Sequence, residues 1–174
     1  MRDLLKNTGG IILCGLFFVF SGHNLSAQTF ISCEINGEEY KGKVEDAVQV
    51  SMGNDNFIQI KTTQGNKILY LYIKASKLSG SIPIILNKEK NDTTGQIPDA
   101  EVIWVPDGPD NPQWNTLEGE LKVTQFDPEN KLISGTFEFK VEKQVYSSKA
   151  NDNRPRANIR EGKFESLKYR IEKH

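Results

Sequence analysis

Residues 132–142, LISGTFEFKVE, alternate between an apolar side and a mostly hydroxyl and charged side. The apolar side comprises Ile133, Gly135, Phe137, Phe139 and Val141. A period of two residues is the spacing of a β-strand that buries one face. The stretch therefore predicts a strand whose apolar face must pack against a further layer of the protein.

Similar short segments recur along the chain from residue 30 onward, separated by turn residues, and none of them keeps a 3.6-residue period. Asn36 and Gly37 form a dipeptide typical of two-residue hairpins. Pro83 lacks a backbone donor, so the segment around it is predicted to be an edge strand or to contain a bulge. Residues 67–74 are apolar on both faces, which predicts a strand near the centre of a sheet.

We therefore predict an all-β fold, an antiparallel β-sandwich or flattened β-barrel of about nine to ten strands. In a sandwich, the Phe137 face meets inward side chains such as Leu121, Val123 and Leu69 across about 10 Å. Gly135, inside its strand, predicts either a bulge or a close approach of neighbouring backbone.

The first 27 residues have the order of a secretory signal peptide. Arg2 and Lys6 precede an apolar run at residues 11–20, and a polar segment with small residues follows. Cleavage after Ala27 leaves residues 28–174 as a single domain. The apolar run is shorter than the about 20 residues that cross a bilayer, and no later segment is longer. We expect an exported protein, periplasmic, on the cell surface or secreted, with no transmembrane segment after signal removal.

The two cysteines bear on anchoring and on redox chemistry. Cys14 leaves with the signal, so Cys33 remains alone and no disulfide forms within the chain. A lipid anchor on either cysteine is the alternative to a soluble mature protein. Ile31, Cys33 and Ile35 alternate together, which favours a small buried residue over a reactive thiol.

Several chemistries are excluded by residue type. His23 leaves with the signal and only His174 remains, so triads, Cys–His dyads and histidine metal sites lack their imidazole. The chain has no Gly-rich phosphate loop. Basic residues predominate after Lys140, but they are interleaved with acids and lack the aromatic partners of a nucleic-acid platform. We expect no cofactor, no metal and no nucleic-acid partner; carboxylates alone leave a hydrolase as an alternative.

The proline-dense segment WVPDGPDNPQW, residues 104–114, supplies the candidate ligand-binding residues Trp104, Asp107, Asp110 and Trp114. Indoles beside hydrogen-bonding groups are typical of surfaces that hold sugar rings. Carboxylate and amide oxygens also suit calcium, although the spacing matches no EF-hand. The third interpretation is structural: Trp104 lies in the core, Trp114 covers the base of the loop, and the acids cap turns.

Three motifs resemble an uncharacterised family of exported, often lipid-anchored β proteins of Bacteroidota-type bacteria. They are INGEEY at residues 35–40, ISGTFEF at 133–139 and IREGKF at 159–164. Members of that family commonly carry a lipidation cysteine directly after the apolar run, and this sequence has none there. The resemblance implies an exported all-β domain and carries no established activity.

These observations predict a non-enzymatic exported β domain that binds or scaffolds an extracytoplasmic ligand or protein, with a glycan among the candidates. The first alternative is a lipocalin-like carrier of a small ligand inside a barrel. The second is a carboxylate-dependent hydrolase.

Overall fold

The computed structural model describes residues 30–80, 82–87, 98–144 and 154–172. Within these ranges the chain forms ten strands and one 3-10 turn at Ala75–Lys77, which confirms the all-β prediction. The strands are β1 (Phe30–Ile35), β2 (Glu38–Met52), β3 (Asp55–Gln64), β4 (Lys67–Lys74), β5 (Ile84–Asn87), β6 (Ala100–Val105), β7 (Trp114–Asp127), β8 (Leu132–Lys143), β9 (Arg156–Lys168) and β10 (Arg170–Ile171). The predicted signal peptide at residues 1–27 and His174 lie outside the described residues. No helix in the described ranges is long and apolar enough to cross a membrane.

Eight strands close into an antiparallel barrel. The order around the wall is β1, β2, β3, β4, β6, β7, β8, β9, and β9 pairs with β1 to complete the circle. β5 pairs with β7, and β10 lies parallel to β2. Of the two predicted architectures, the protein adopts the barrel.

Closure corrects one expectation about packing. Leu121 and Phe137 do not face each other across two layers, because they are cross-strand neighbours on β7 and β8, and Val123 is likewise the neighbour of Gly135. Alternation identifies the apolar side of each strand but does not reveal whether the sheet folds over or closes. The Phe137 face therefore packs into the barrel interior.

The interior is one continuous cluster of buried apolar side chains drawn from all eight wall strands and from β5. Cys33 belongs to it, as its alternation predicts, and burial raises the pKa of its thiol to about 12. Thr62 is a buried polar member of the same interior, and its Oγ1 donates to the Leu69 carbonyl at 3.2 Å. Since that bond uses the threonine proton, the Tyr40 hydroxyl donates to Thr62 Oγ1 at 2.9 Å.

Two cross-strand pairs between β8 and β9 each join a glycine to a phenylalanine. Gly135 pairs with Phe164, and Phe137 pairs with Gly162. A Cβ on Gly135 would lie 2.6 Å from the Phe164 ring and 2.8 Å from the Lys122 carbonyl, and a Cβ on Gly162 would lie 2.5 Å from the Phe137 ring. Each ring therefore covers the glycine opposite. The Lys122 carbonyl is the close approach of neighbouring backbone predicted for Gly135, and the β8–β9 register shifts on both sides of these pairs.

On the side away from β8, β7 pairs with two different strands along its length. The first residues of β7, Trp114 and Asn115, pair with β6. Thr116 continues the contact through its side chain, which accepts from the Val102 N–H at 2.8 Å and donates to the Val102 carbonyl at 2.7 Å. Residues 118–121 then pair with β5, which starts directly after Pro83 and pairs with no second strand among the described residues. This agrees with the edge position that the proline predicted.

Candidate functional site

One end of the barrel opens into a pocket of about 210 Å³. Four structural features meet there: the β1–β2 hairpin, the start of β4, the β6–β7 loop and the start of β9. The lining residues are Ile35, Asn36, Glu38, Glu39, Tyr40, Lys67, Trp104, Pro106, Trp114 and Ala157. We call this concavity the mouth pocket.

Aromatic rings form the floor of the mouth pocket. The Tyr40 and Trp104 rings meet edge to face, with centroids 5.2 Å apart and planes at 84°, and both side chains are almost fully buried. Trp114 is the cross-strand partner of Trp104 and stays half-buried. Because they are cross-strand partners, the two indoles lie next to each other at the end of the wall.

Tyr40 is anchored below the pocket by a hydrogen bond and by close packing in the core. Its hydroxyl is committed to Thr62, and Gly42 leaves room for it, since a Cβ there would lie 2.5 Å from the Tyr40 hydroxyl oxygen. Burial raises the pKa of Tyr40 to about 12, so the phenol stays protonated at neutral pH. The Tyr40 ring therefore gives the pocket an apolar surface, and the Tyr40 hydroxyl is hydrogen-bonded within the core.

The rim is polar and carries both signs of charge. Lys67 Nζ lies 3.6 Å from Glu38 Oε2, and their side chains are 41% and 80% exposed. An ion pair this exposed contributes little free energy, so a ligand can separate the two groups at small cost. Glu39 adds a second exposed carboxylate. The arrangement therefore provides hydrogen-bond acceptors and one cationic donor above an apolar floor.

The turn that starts β2 also fixes the rim. Asn36 and Gly37 have φ angles of 53° and 83°, the positive pair that the hairpin prediction requires. Asn36 donates its N–H to the Asn158 carbonyl, and Asn158 donates its N–H to Asn36 Oδ1, both at 2.9 Å. The hairpin tip is thereby bonded to β9, and the two hydrogen bonds extend the β1–β9 pairing beyond Ile35.

Of the four ligand-binding candidates predicted from the sequence, two line the mouth pocket and two do not. Trp104 and Trp114 line the mouth pocket together, whereas Asp107 and Asp110 are exposed in the β6–β7 loop and do not line it. That loop is organised by Asn111, which donates its side-chain N–H to the Asp107 carbonyl at 2.7 Å and its backbone N–H to the Gly108 carbonyl at 3.1 Å. In the described part of the chain, no group of three or more acidic, cysteine or histidine side chains is arranged to hold a metal.

Among the pocket residues that sequence reasoning missed are Glu38, Glu39, Tyr40 and Lys67, which supply the rim charges and part of the floor. They follow two short hairpin turns, at Asn36 and Gly37 and at residues 65–66. The turns themselves were a usable signal, because both place the next strand's first residues at the same end of the barrel as the β6–β7 loop.

Comparisons of the chain with models of protein families, with curated proteins and with solved structures find no match.

Proposed function

We propose that this protein is an exported, non-enzymatic binding domain that holds a single sugar ring in the mouth pocket. The observation that carries the proposal is the convergence of three aromatic rings beneath a polar rim at the open end of the barrel. Barrel mouths are frequent ligand sites, and an apolar lining with a few placed polar groups is their usual composition.

The size of the pocket supports one ring. A cavity of about 150 Å³ is large enough for a benzene molecule, so about 210 Å³ accommodates one six-membered ring with small substituents. Sites for larger molecules range from about 300 to 1,000 Å³. The pocket is therefore suited to one terminal sugar of a glycan, with the remainder of the chain in solvent.

The polarity of the pocket supports a neutral hydroxylated ring. The C–H faces of a sugar are apolar and pack on indole rings such as that of Trp114, while its hydroxyls both donate and accept. Glu38 and Glu39 accept hydrogen bonds and Lys67 donates them. The two carboxylates against one ammonium favour a neutral ring over an anionic one.

Intrinsic fluorescence tests the proposal directly, because Trp104 and Trp114 are the only tryptophans of the chain and both line the pocket. The mature protein is titrated with a panel of neutral mono- and disaccharides. We expect a saturable change in tryptophan emission for at least one sugar, and loss of binding by calorimetry in Trp114→Ala.

Phe126→Ala is the matched control, since Phe126 is a half-buried aromatic residue that does not line the mouth pocket and stacks on Tyr169. Binding that is retained in Trp114→Ala, or lost equally in both variants, contradicts the proposal. So does an absence of binding across the whole panel at millimolar concentration.

The closed antiparallel barrel is compatible with one second candidate, a lipocalin-like carrier. In that case an apolar fluorescent probe binds in the interior with one-to-one stoichiometry, and sugars do not displace it. Binding of such a probe that Phe137→Ala alters and Trp114→Ala leaves unchanged favours the carrier over the mouth-pocket proposal.

A further inference from the structure

The charges that line the mouth pocket do not balance. They belong to three side chains, Glu38, Glu39 and Lys67. Lys67 Nζ lies 3.6 Å from Glu38 Oε2, so this carboxylate and the ammonium compensate each other. Glu39 is exposed and forms no ion pair with another residue that the structure describes. The lining therefore carries one carboxylate more than its own ammonium neutralises.

The strand register places a further carboxylate beside Glu39. Glu34 of β1 is the direct cross-strand partner of Glu39 on β2, and like charges in such positions repel each other. On its other side Glu34 lies opposite Arg160 of β9, but the two form no ion pair in the described part of the chain. A cation bound in the pocket beside Glu39 would reduce the repulsion between the two carboxylates.

The cations nearest to the pocket leave this excess in place. Arg154 and Arg156 both pair with the Glu142 carboxylate, at 3.3 Å and 3.0 Å. Lys143 is the cross-strand partner of Trp114 but does not line the pocket. The adjoining β6–β7 loop adds two exposed aspartates. Among the described residues, Lys67 is therefore the one cation in the lining, and Glu38 already neutralises it.

The aromatic floor attracts positive charge as well. Tyr40, Trp104 and Trp114 line the pocket. The face of an aromatic ring is electron-rich, so it attracts a cation, and indole does so more strongly than the other rings. An ammonium group in the pocket therefore has two sources of attraction, the indole rings and the Glu39 carboxylate.

We propose that the sugar held in the mouth pocket is an amino sugar with a free, protonated amine, which pairs with Glu39. This inference rests on the proposed function and names the class of sugar. An amino group is close in size to the hydroxyl that it replaces, so the ring still fits a pocket of about 210 Å³. Neutral sugars make the same ring contacts without the charge, and they therefore bind the same site more weakly.

Three matched pairs of sugars test the inference: glucose with glucosamine, galactose with galactosamine, and mannose with mannosamine. Each sugar is titrated into the mature protein at about pH 6, where its amine is protonated because the pKa of an amine of this kind is about 8. In the pair that binds best, the amino sugar should bind roughly fivefold more tightly than its neutral partner. Added salt should reduce that preference, since it screens exposed charges.

Two variants locate the carboxylate responsible. Glu39→Gln keeps an acceptor oxygen but removes the charge, so it should reduce the preference for the amino sugar to below about twofold. Glu34→Gln should reduce the preference by a smaller amount and leave the affinity for the neutral sugar unchanged, because Glu34 does not line the pocket. Glu120→Gln is the matched control, an exposed carboxylate of β7 outside the mouth pocket, and it should leave the preference unchanged.

The results separate this inference from the proposed function. If the neutral sugar binds as tightly as its amino counterpart, the amino-sugar inference is wrong and the proposed function stands. A preference that persists in Glu39→Gln, or that Glu120→Gln reduces equally, also overturns the inference. An absence of binding by all six sugars overturns it too, and the wider panel of neutral sugars then decides the proposed function by itself.

Discussion

Truncating Phe137 to alanine should remove a large fraction of the protein's stability. The side chain is only 2% exposed, and its ring centroid lies 6.2 Å from that of Phe139 and 6.4 Å from that of Phe164. About 150 Å² of ring surface at about 25 cal/mol per Å² corresponds to about 4 kcal/mol. Gly162, beneath the ring, has no side chain to fill the cavity. We expect a loss of about 3–5 kcal/mol, against a total of roughly 5–15 kcal/mol.

The same contact predicts a specific non-additivity. Gly162 does not have a positive φ, so alanine there is strained only by the Phe137 ring, which an added Cβ would meet at 2.5 Å. Gly162→Ala alone should cost about 1–3 kcal/mol through overpacking. In Phe137→Ala the added methyl group enters the vacated space instead. The double variant should therefore be more stable than the sum of the single effects by about 1 kcal/mol or more.

Urea denaturation followed by far-ultraviolet circular dichroism measures all four proteins of this cycle. The cycle applies if each variant keeps a single cooperative transition with a similar slope in urea. Gly135→Ala is the parallel control, because its added Cβ would meet the Phe164 ring and should not be rescued by Phe137→Ala. Additivity of Phe137→Ala and Gly162→Ala, or a loss below about 1 kcal/mol for Phe137→Ala, would refute the packing derived for this pair.

Three further predictions use other parts of the chain. Lys131 has a φ of 58° in the β7–β8 turn, a conformation that glycine adopts more readily than lysine. Lys131→Gly should therefore stabilise the protein by about 0.5–1 kcal/mol and raise its melting temperature. The Cys33 pKa is raised from 9.0 to about 12. The folded protein keeps this thiol neutral to a higher pH than the unfolded chain does, so its contribution to the free energy of unfolding is complete below about pH 9 and declines as the pH rises toward 12. Cys33→Ala should make that decline shallower in denaturation measurements across the same pH range. Mass spectrometry of the protein recovered from the secretory fraction of its host should find Gln28 as the first residue.

The fold class was predictable because local chemistry determines it. Asn36 and Gly37 specify their turn through positive φ angles, and Pro83 marks the start of an edge strand. Closure was not predictable, since Leu121 and Phe137 alternate identically whether they lie on adjacent strands or on opposite sheets. Closure depends on pairing β1 with β9, and those strands are far apart in the sequence.

The candidate site was likewise predictable only where it depends on residues close together in the sequence. Trp104 and Trp114 frame one loop, so their proximity is a local property and sequence reasoning found it. Tyr40 and Lys67 come from distant hairpins, and only the closed wall brings them to the indoles. Asp107 and Asp110 share the loop with the tryptophans but do not line the pocket, because sequence proximity in a loop does not fix the position of a side chain.

The structure also separates what stabilises the barrel from what forms the mouth pocket. The Phe137 and Phe164 rings pack on the glycines of β8 and β9, whereas Trp114 is half-buried at the end of β7. Tyr40 is a pocket residue that is hydrogen-bonded into the core, through Thr62. A pocket whose floor is already ordered loses little side-chain entropy on binding. Tyr40→Phe should therefore lower stability by about 1 kcal/mol and leave sugar affinity unchanged, because it removes only the core hydrogen bond and keeps the ring. An affinity loss in this variant as large as that in Trp114→Ala would show that the phenol, and not the ring alone, contacts the ligand.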